Sequence, residues 1–242
     1  MVGLVSGLSR GCAPLRRAPA PATPREILAA LYSTPGATEL QARGQIRVTS
    51  PDGGYTGSVL LYYRYPDSAR FVIQAGFGAT LAELALTGLT GLAYLPQQKQ
   101  AFELTPGSAI VVGQAALYPS LVMRLLGPAE SEPFADSLSL AVEGRSYVLR
   151  DSTPSGRRVW RVDGWSRQLQ AEDFRSADNN VEWHREFKRS RNVRVPRMVF
   201  VRLGETKTVI DLTYVDAAPR WKGNEFRVRL PADVEVLGRE EP

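Results

Sequence analysis

The chain has 242 residues, 43% of them hydrophobic, with a formal charge of +5 and an isoelectric point near 9.5. That length buries a full core, and about 200 residues suffice for one β-rich domain. A single cysteine, Cys12, excludes a disulfide within the chain, and with one histidine, His184, no His, Cys or carboxylate cluster stands at metal-ligand spacing. The positive balance suits contact with phosphates, of nucleic acid or of lipid headgroups, without choosing between them.

Met1 to Leu8 form a short apolar run, far below the roughly 20 residues a membrane-spanning helix needs. The run lacks a basic segment before it and sits at the lower limit of a signal-peptide core. It reads as a truncated signal whose true start lies upstream. Cys12 follows Gly11 and precedes a tract with Pro14, Pro19, Pro21 and Pro24, interleaved with alanines and with Arg16 and Arg17. Such a tract favours an extended tether. The arrangement resembles the end of a bacterial lipoprotein signal, in which a lipid is attached to the cysteine; Ser9 and Arg10 depart from that pattern. The competing reading is an incidental cysteine in a leader. Residues 1–22 are therefore taken as signal, lipidation segment and tether, and 23–242 as the folded domain.

The folded part opens with TPREILAALYS. Thr23 suits a helix cap, Pro24 the first helical position, and Glu26 completes a capping box, with Ile27, Leu28 and Leu31 on one face. LQARGQIRVTS then places Leu40, Ala42, Ile46 and Val48 at even spacing, and SPDGGY turns the chain into TGSVLLYYRY, which predicts a hairpin. In that second strand Val59, Leu61, Tyr63 and Tyr65 share one face while Leu60 and Tyr62 occupy the other, so both faces are partly apolar and one needs a cover. Pro66 and Asp67 turn the chain into ARFVIQAG, and LAELAL, GLAYLP and QAFEL continue a meander.

Residues 108–127, SAIVVGQAALYPSLVMRLLG, break the period. Their length and spacing predict a helical insertion kinked at Pro119, with Ile110, Leu117, Leu121 and Leu125 on one stripe that lies as a lid over the sheet. Strand patterns resume at SLSLAVEG, RSYVLRD, RRVWRVDG, WSRQLQAED, NVEWHREF, PRMVFVRL, TKTVIDLTYV and EFRVRLP. The expected architecture is mainly β: one curved antiparallel sheet of about eleven strands with an N-terminal helix and one helical insertion. Such a sheet must close or cover its concave face.

LQARGQIRV, GSVLLYYRYPDSARF, GFG with GLAYLP, and the terminal FRVRLPADVEV resemble the Lol-type lipoprotein carriers and receptors and related lipid-anchored domains, over about residues 40 to 237. The resemblance implies an open, unclosed β-barrel whose hollow, lidded by helices, receives acyl chains. A sheet with one apolar face and too few helices to fill it leaves the same kind of surface. The expected walls are Leu61, Tyr63, Phe71, Ile73, Tyr94 and Phe102, with Leu117 and Leu121 from the lid. The resemblance further implies a monomer at the periplasmic face of the outer membrane, held there by its lipid, handling lipoproteins or another lipid with a periplasmic carrier as a partner. GFGATLAELALTGLTG is the best candidate for the protruding apolar loop of the receptor members.

Two other classes compete. For an enzyme the inventory is poor: His184 lies in VEWHREF, an alternating strand in which a solvent-facing imidazole is expected, and Glu172 and Asp173, adjacent in a strand, point to opposite faces. Neither catalysis nor a cofactor is expected. A nucleic-acid or anionic-surface binder without a lipid cavity is the second rival, because FKRSRNVRVPRMVFVR concentrates Lys188, Arg189, Arg191, Arg194, Arg197 and Arg202. Within the lipoprotein reading, that stretch faces anionic headgroups or an acidic carrier and no nucleic acid is expected.

Overall fold

The computed structural model describes residues 20–88, 90–105, 108–112, 115–127, 138–190, 193–221 and 224–237. Helix α1 (Pro24–Ser33) begins with the capping box its sequence encodes: the Thr23 N–H donates to the Glu26 carboxylate at 2.7 Å, and the Glu26 N–H donates to the Thr23 hydroxyl at 3.3 Å. Six strands follow as a meander, β1 (Glu39–Ser50), β2 (Gly53–Arg64), β3 (Ser68–Gln74), β4 (Thr80–Thr87), β5 (Thr90–Leu95) and β6 (Gln100–Leu104). A hairpin, β7 (Ile110–Val112) and β8 (Ala115–Leu117), leads into α2 (Pro119–Leu126). A second meander runs through β9 (Ser139–Glu143), β10 (Ser146–Thr153), β11 (Gly156–Asp163), β12 (Leu169–Ser176), β13 (Val181–Ser190), β14 (Val193–Leu203) and β15 (Thr206–Asp216), and β16 (Glu235–Leu237) ends the fold.

The two meanders join where β1 pairs with β15, producing one open sheet of fourteen strands in the order β16-β6-β5-β4-β3-β2-β1-β15-β14-β13-β12-β11-β10-β9. Every neighbouring pair is antiparallel except β16–β6, which is parallel. This topology forces two crossings. After β6, at one side of the sheet, the chain must travel to β9 at the other, and it does so over the face formed by Leu61, Phe71, Leu84, Val199 and Ile210, called here the inner face: Ile110, Val122, Met123, Leu125 and Leu126 pack into that core. After β15 it must return to β6, and it crosses the opposite, outer face. There Trp221 meets Tyr62 at 6.1 Å between ring centroids, Arg64 lies over Trp221 and Phe226, and Arg70 donates to the Glu225 carbonyl. Both partly apolar faces of β2 are thus covered, each by a different crossing.

Helix α1 covers the remainder of the inner face. Ile27 and Leu31 pack on Tyr147, Leu149, Trp160 and Val162 of β10 and β11 in a second apolar cluster. Among the described residues, no helix is long and apolar enough to cross a membrane.

Three expectations are corrected. The sheet has fourteen strands instead of about eleven, because the six strands of the first meander and the seven of the second all join one sheet and Glu235–Leu237 adds another. The insertion is not one kinked helix: Ile110 and Leu117 pair across the β7–β8 hairpin, and Pro119 opens α2 instead of bending it, since proline fits the first helical turn, where its missing N–H is no loss. The expected strand EFRVRLP is not a strand; Phe226 serves the outer crossing, and the residues that pair with β6 are Glu235–Leu237.

Candidate functional site

The inner face is not evenly filled. Across β2, β3 and β4, cross-strand rows such as Leu61, Phe71 and Leu84 interlock, and Leu61, Phe71 and Ile73 are fully buried with Tyr63 nearly so. Toward β5 and β6 the rows carry smaller side chains: Ala93 stands between Leu84 and Phe102, and Gly91 between Leu86 and Leu104. A row that loses volume under a short hairpin leaves space. A groove of about 550 Å³ opens there, lined by Leu81, Ala93, Leu95, Phe102, Leu104 and Ile110, with Gln97, Gln98, Glu103 and Ser108 also on its lining. Its size falls in the range of small-molecule and acyl-chain pockets, and an apolar wall with a few polar groups is their usual composition.

The cover is fastened by a buried charge. Glu172 and Arg185 face each other across β12 and β13 on the inner face, 2% and 4% exposed. Arg185 Nε donates to Glu172 Oε2 at 2.8 Å, and Nη2 lies 2.6 Å from the same oxygen. Trp160 Nε1 donates to Glu172 Oε1 at 3.1 Å. The remaining guanidinium nitrogen, Nη1, donates to the carbonyls of Leu125 and Gly127 at 3.2 and 3.1 Å. Those carbonyls belong to the end of α2, where a cation satisfies unpaired acceptors and matches the helix dipole. Trp183 and Phe187 flank the guanidinium.

No protein-family model matches the chain, and no curated protein matches it in sequence. Solved structures do match its fold. A DUF1329 family protein from Desulfovibrio piger is 11% identical, with 84% of this chain and 94% of that one covered at a TM-score of 0.51. A putative outer membrane lipoprotein-sorting protein domain from Vibrio parahaemolyticus is also 11% identical, with 84% and 93% covered at a TM-score of 0.50. The fold is of the Lol type. A LolA superfamily protein from Nitrosomonas europaea, 12% identical, covers 86% of this chain and 99% of its own at a TM-score of 0.47.

Within this Lol-type sheet, the expected wall residues separate. Phe102 lines the groove, whereas Leu61, Tyr63, Phe71 and Ile73 lie in packed core beside it. Tyr94 pairs with Glu83 and Ala101 on the outer face, one step out of phase with Ala93. Leu117 ends β8 and Leu121 lies within α2. The expected protruding loop resolves mostly into β4, but its first turn exposes Phe77 at 86%. Of the groove residues not foreseen, Leu95 and Leu104 carried a signal in the sequence, alternating in GLAYLP and QAFEL with the inward Ala93 and Phe102, whereas Leu81 is out of phase with the inward Ala82 and Leu84 and reaches the groove at the register shift beside Gln74.

His184 is not simply solvent-facing. On the outer face its Nδ1 lies 2.6 Å from Asp173 Oδ1 and its Nε2 3.5 Å from Glu186 Oε1. The Asp173 hydrogen bond raises the imidazole above its ordinary value, burial opposes the rise, and the charges of Asp173 and Glu186 add to it. Among the described residues, no group of three His, Cys, Asp or Glu could hold a metal ion. A second depression, of about 470 Å³, is lined by charged groups including Arg157, Asp173, Arg175 and Glu182 and does not suit an acyl chain.

The basic stretch does not form one patch. Lys188, Arg189 and Arg197 are exposed, Arg202 is paired with Glu182 at 3.0 Å, and Arg194 is 4% exposed with its guanidinium over the Phe187 ring. A register shift in the β13–β14 pairing between Glu186 and Phe187 breaks the alternation that would have aligned them. Arg191 and Cys12 lie outside the described residues.

Proposed function

We propose that the protein is a lipid-anchored periplasmic protein that binds lipid acyl chains in the groove between β5, β6 and the β7 strand, and takes part in moving lipoproteins or another lipid to the outer membrane. The observation that carries this reading is the groove itself: an apolar-walled space of about 550 Å³ at the margin of an otherwise packed inner face. Each methylene buried contributes about 0.8 kcal/mol, so a chain that places eight methylenes there gains roughly 6 kcal/mol before the cost of ordering it. The fold is shared with a putative outer membrane lipoprotein-sorting domain, which agrees with this reading. No residue is assigned a catalytic role; His184 and its carboxylates serve the outer face. The anchor is Cys12, the partners are a lipid or lipoprotein and a periplasmic carrier, and the protein acts as a monomer at the periplasmic face of the outer membrane.

The test is displacement of a fluorescent fatty-acyl probe. Ala109, exposed on the groove lining, is replaced by Trp to block the opening, and Phe102 by Asn to make its wall polar. Both variants are expected to stay folded and to bind the probe at least tenfold more weakly, a loss of about 1.4 kcal/mol. A parent that binds no probe, or folded variants that bind as the parent does, would overturn the reading.

A further inference from the structure

One turn exposes a tryptophan on purpose-built support. Trp165, in the turn between β11 and β12, is 64% exposed. The Asp163 carboxylate accepts the N–H of Trp165 at 3.0 Å, the N–H of Ser166 at 2.7 Å and the Ser166 hydroxyl at 2.9 Å, and Arg167 adopts a φ of 56° to close the turn. The ring is therefore presented by an ordered backbone, and seating it on a partner costs little additional ordering. The adjoining turn between β9 and β10 is tied to this one, because the Gly164 N–H donates to the Arg145 carbonyl at 2.8 Å.

The surroundings are cationic. Arg145 and Arg161 are exposed, Arg167 lies 4.5 Å over the Tyr147 ring, and Lys188 is exposed at the same end of β13. The carboxylates near them are fewer: Asp163 within the turn and beside Arg145, Glu26 in the α1 capping box and beside Arg167, Glu143 with Arg150, and Glu186 with His184 and Arg197, so that Arg161 and Lys188 leave this end with an excess of positive charge. The chain also joins the domain here. The carbonyl of Ala20 accepts a hydrogen bond from the Tyr147 hydroxyl, and Tyr147 stands at the start of β10. Between Cys12 and Ala20 the leader carries Arg16 and Arg17. Eight residue steps separate Cys12 from Ala20, a reach of at most about 29 Å.

We propose that this end of the sheet is a docking surface for an anionic bilayer, with Trp165 seated among the headgroups and Arg145, Arg161, Arg167 and Lys188 against their phosphates. Tryptophan is at home in the interfacial layer, and cations near an anionic surface add to the binding. The antiparallel order places the β3–β4 turn, with Phe77, at the opposite strand ends. The Trp165 end thus lies on the membrane that holds the protein, and the Phe77 end faces away from it. The inference rests on the lipid-anchored reading for its membrane, and on the turn itself for its surface.

The test uses the full chain with Cys12→Ser, so that no lipid anchors it, and vesicles of phosphatidylcholine with or without phosphatidylglycerol. The parent is expected to sediment with the anionic vesicles only, and brominated lipid is expected to quench the fluorescence lost in Trp165→Ala. Trp165→Ala should weaken binding severalfold. Arg145→Gln with Arg161→Gln should weaken it by tenfold or more, since each arginine near such a surface accounts for about fivefold. Phe77→Ala should leave it unchanged. All three should retain the parent's melting temperature and its affinity for the acyl probe, which separates this proposal from the groove reading. The proposal is overturned if the parent ignores anionic vesicles or binds neutral ones equally, if Trp165→Ala binds as the parent does, or if Phe77→Ala is the variant that fails. Duplex DNA that binds as tightly as the vesicles, with Trp165 unquenched in both, would also overturn it in favour of a general polyanion surface.

Discussion

Arg185 and Glu172 face each other on neighbouring strands under the end of α2, the guanidinium Nε 2.8 Å from the carboxylate, and the same guanidinium holds the last carbonyls of that helix. A buried pair of this kind is costly to break on one side, and here Glu172 would keep only Arg158, 3.6 Å from its Oε1, and the Trp160 N–H. Arg185→Leu is expected to lower stability by about 3–5 kcal/mol, read from urea unfolding, and to raise hydrogen exchange in Pro119–Leu126 more than in β1 or β2. Replacing both residues, Arg185→Leu with Glu172→Met, should recover most of the stability while leaving the α2 amides less protected. Equal exchange in parent and double variant would show that the guanidinium does not fasten the helix.

Gly44 is where the two meanders meet with a register shift, between Arg43 and Gly44. A Cβ added there would run into the backbone carbonyl of Asp211, which no side-chain rotation relieves. Gly44→Ala is expected to cost about 1–3 kcal/mol or more, measured by thermal or denaturant unfolding. Gly76→Ala, where a Cβ meets nothing within 4 Å, is the control and should be close to neutral.

His184 gives a pH dependence with a defined sign. Its folded value is raised, chiefly by the Asp173 hydrogen bond. The folded state therefore binds the proton more tightly than the unfolded chain does, and the stabilisation is complete below the ordinary imidazole value of 6.5 and lost as pH rises through the higher folded value. The parent should exceed His184→Gln in urea midpoint below pH 6.5, and the difference should shrink as pH rises above it. Imidazole titration by NMR should show the raised value directly. Cellular function is expected to survive the substitution; its loss at unchanged melting temperature would reopen an enzymatic reading.

Cys12 carries the anchor prediction. Mature protein is expected to begin at Cys12, to bear acyl chains by mass spectrometry, and to partition with membranes. Several chains on one cysteine supply the two signals that firm anchoring requires. Cys12→Ala should move the protein to the soluble fraction. A mature N-terminus elsewhere, with partitioning unchanged, would remove the anchor from the proposed function.

Much of the fold was legible locally. Thr23, Pro24 and Glu26 specify the start of α1 because a capping box is satisfied by atoms three residues apart. The alternation in β1 and β2 fixes which side chains travel together, and Leu40, Ala42, Ile46, Leu61 and Tyr63 are all buried on one face. What alternation does not state is which face is covered. Tyr94 is the larger side chain in GLAYLP, yet Ala93 faces inward, because the phase of β5 is set by its pairing with Leu84 and Phe102 on other strands. Arg194 is buried although it stands in a run of exposed cations, because the shift near Phe187 turns it out of their phase.

The candidate site depended still more on distant pairing. β1 and β15 lie at opposite ends of the domain sequence, and only their pairing forces one crossing over the inner face and another over the outer. The inner crossing places Leu125 above Arg185 and Ile110 beside Phe102. Sequence by itself determined the strand-rich composition, the capped first helix and the apolar sets within each strand, since these follow from periods of two and 3.6 residues. Tertiary structure decided the register, the covered faces and the position of the groove, because each is set by the volume of side chains that meet across strands far apart in the chain.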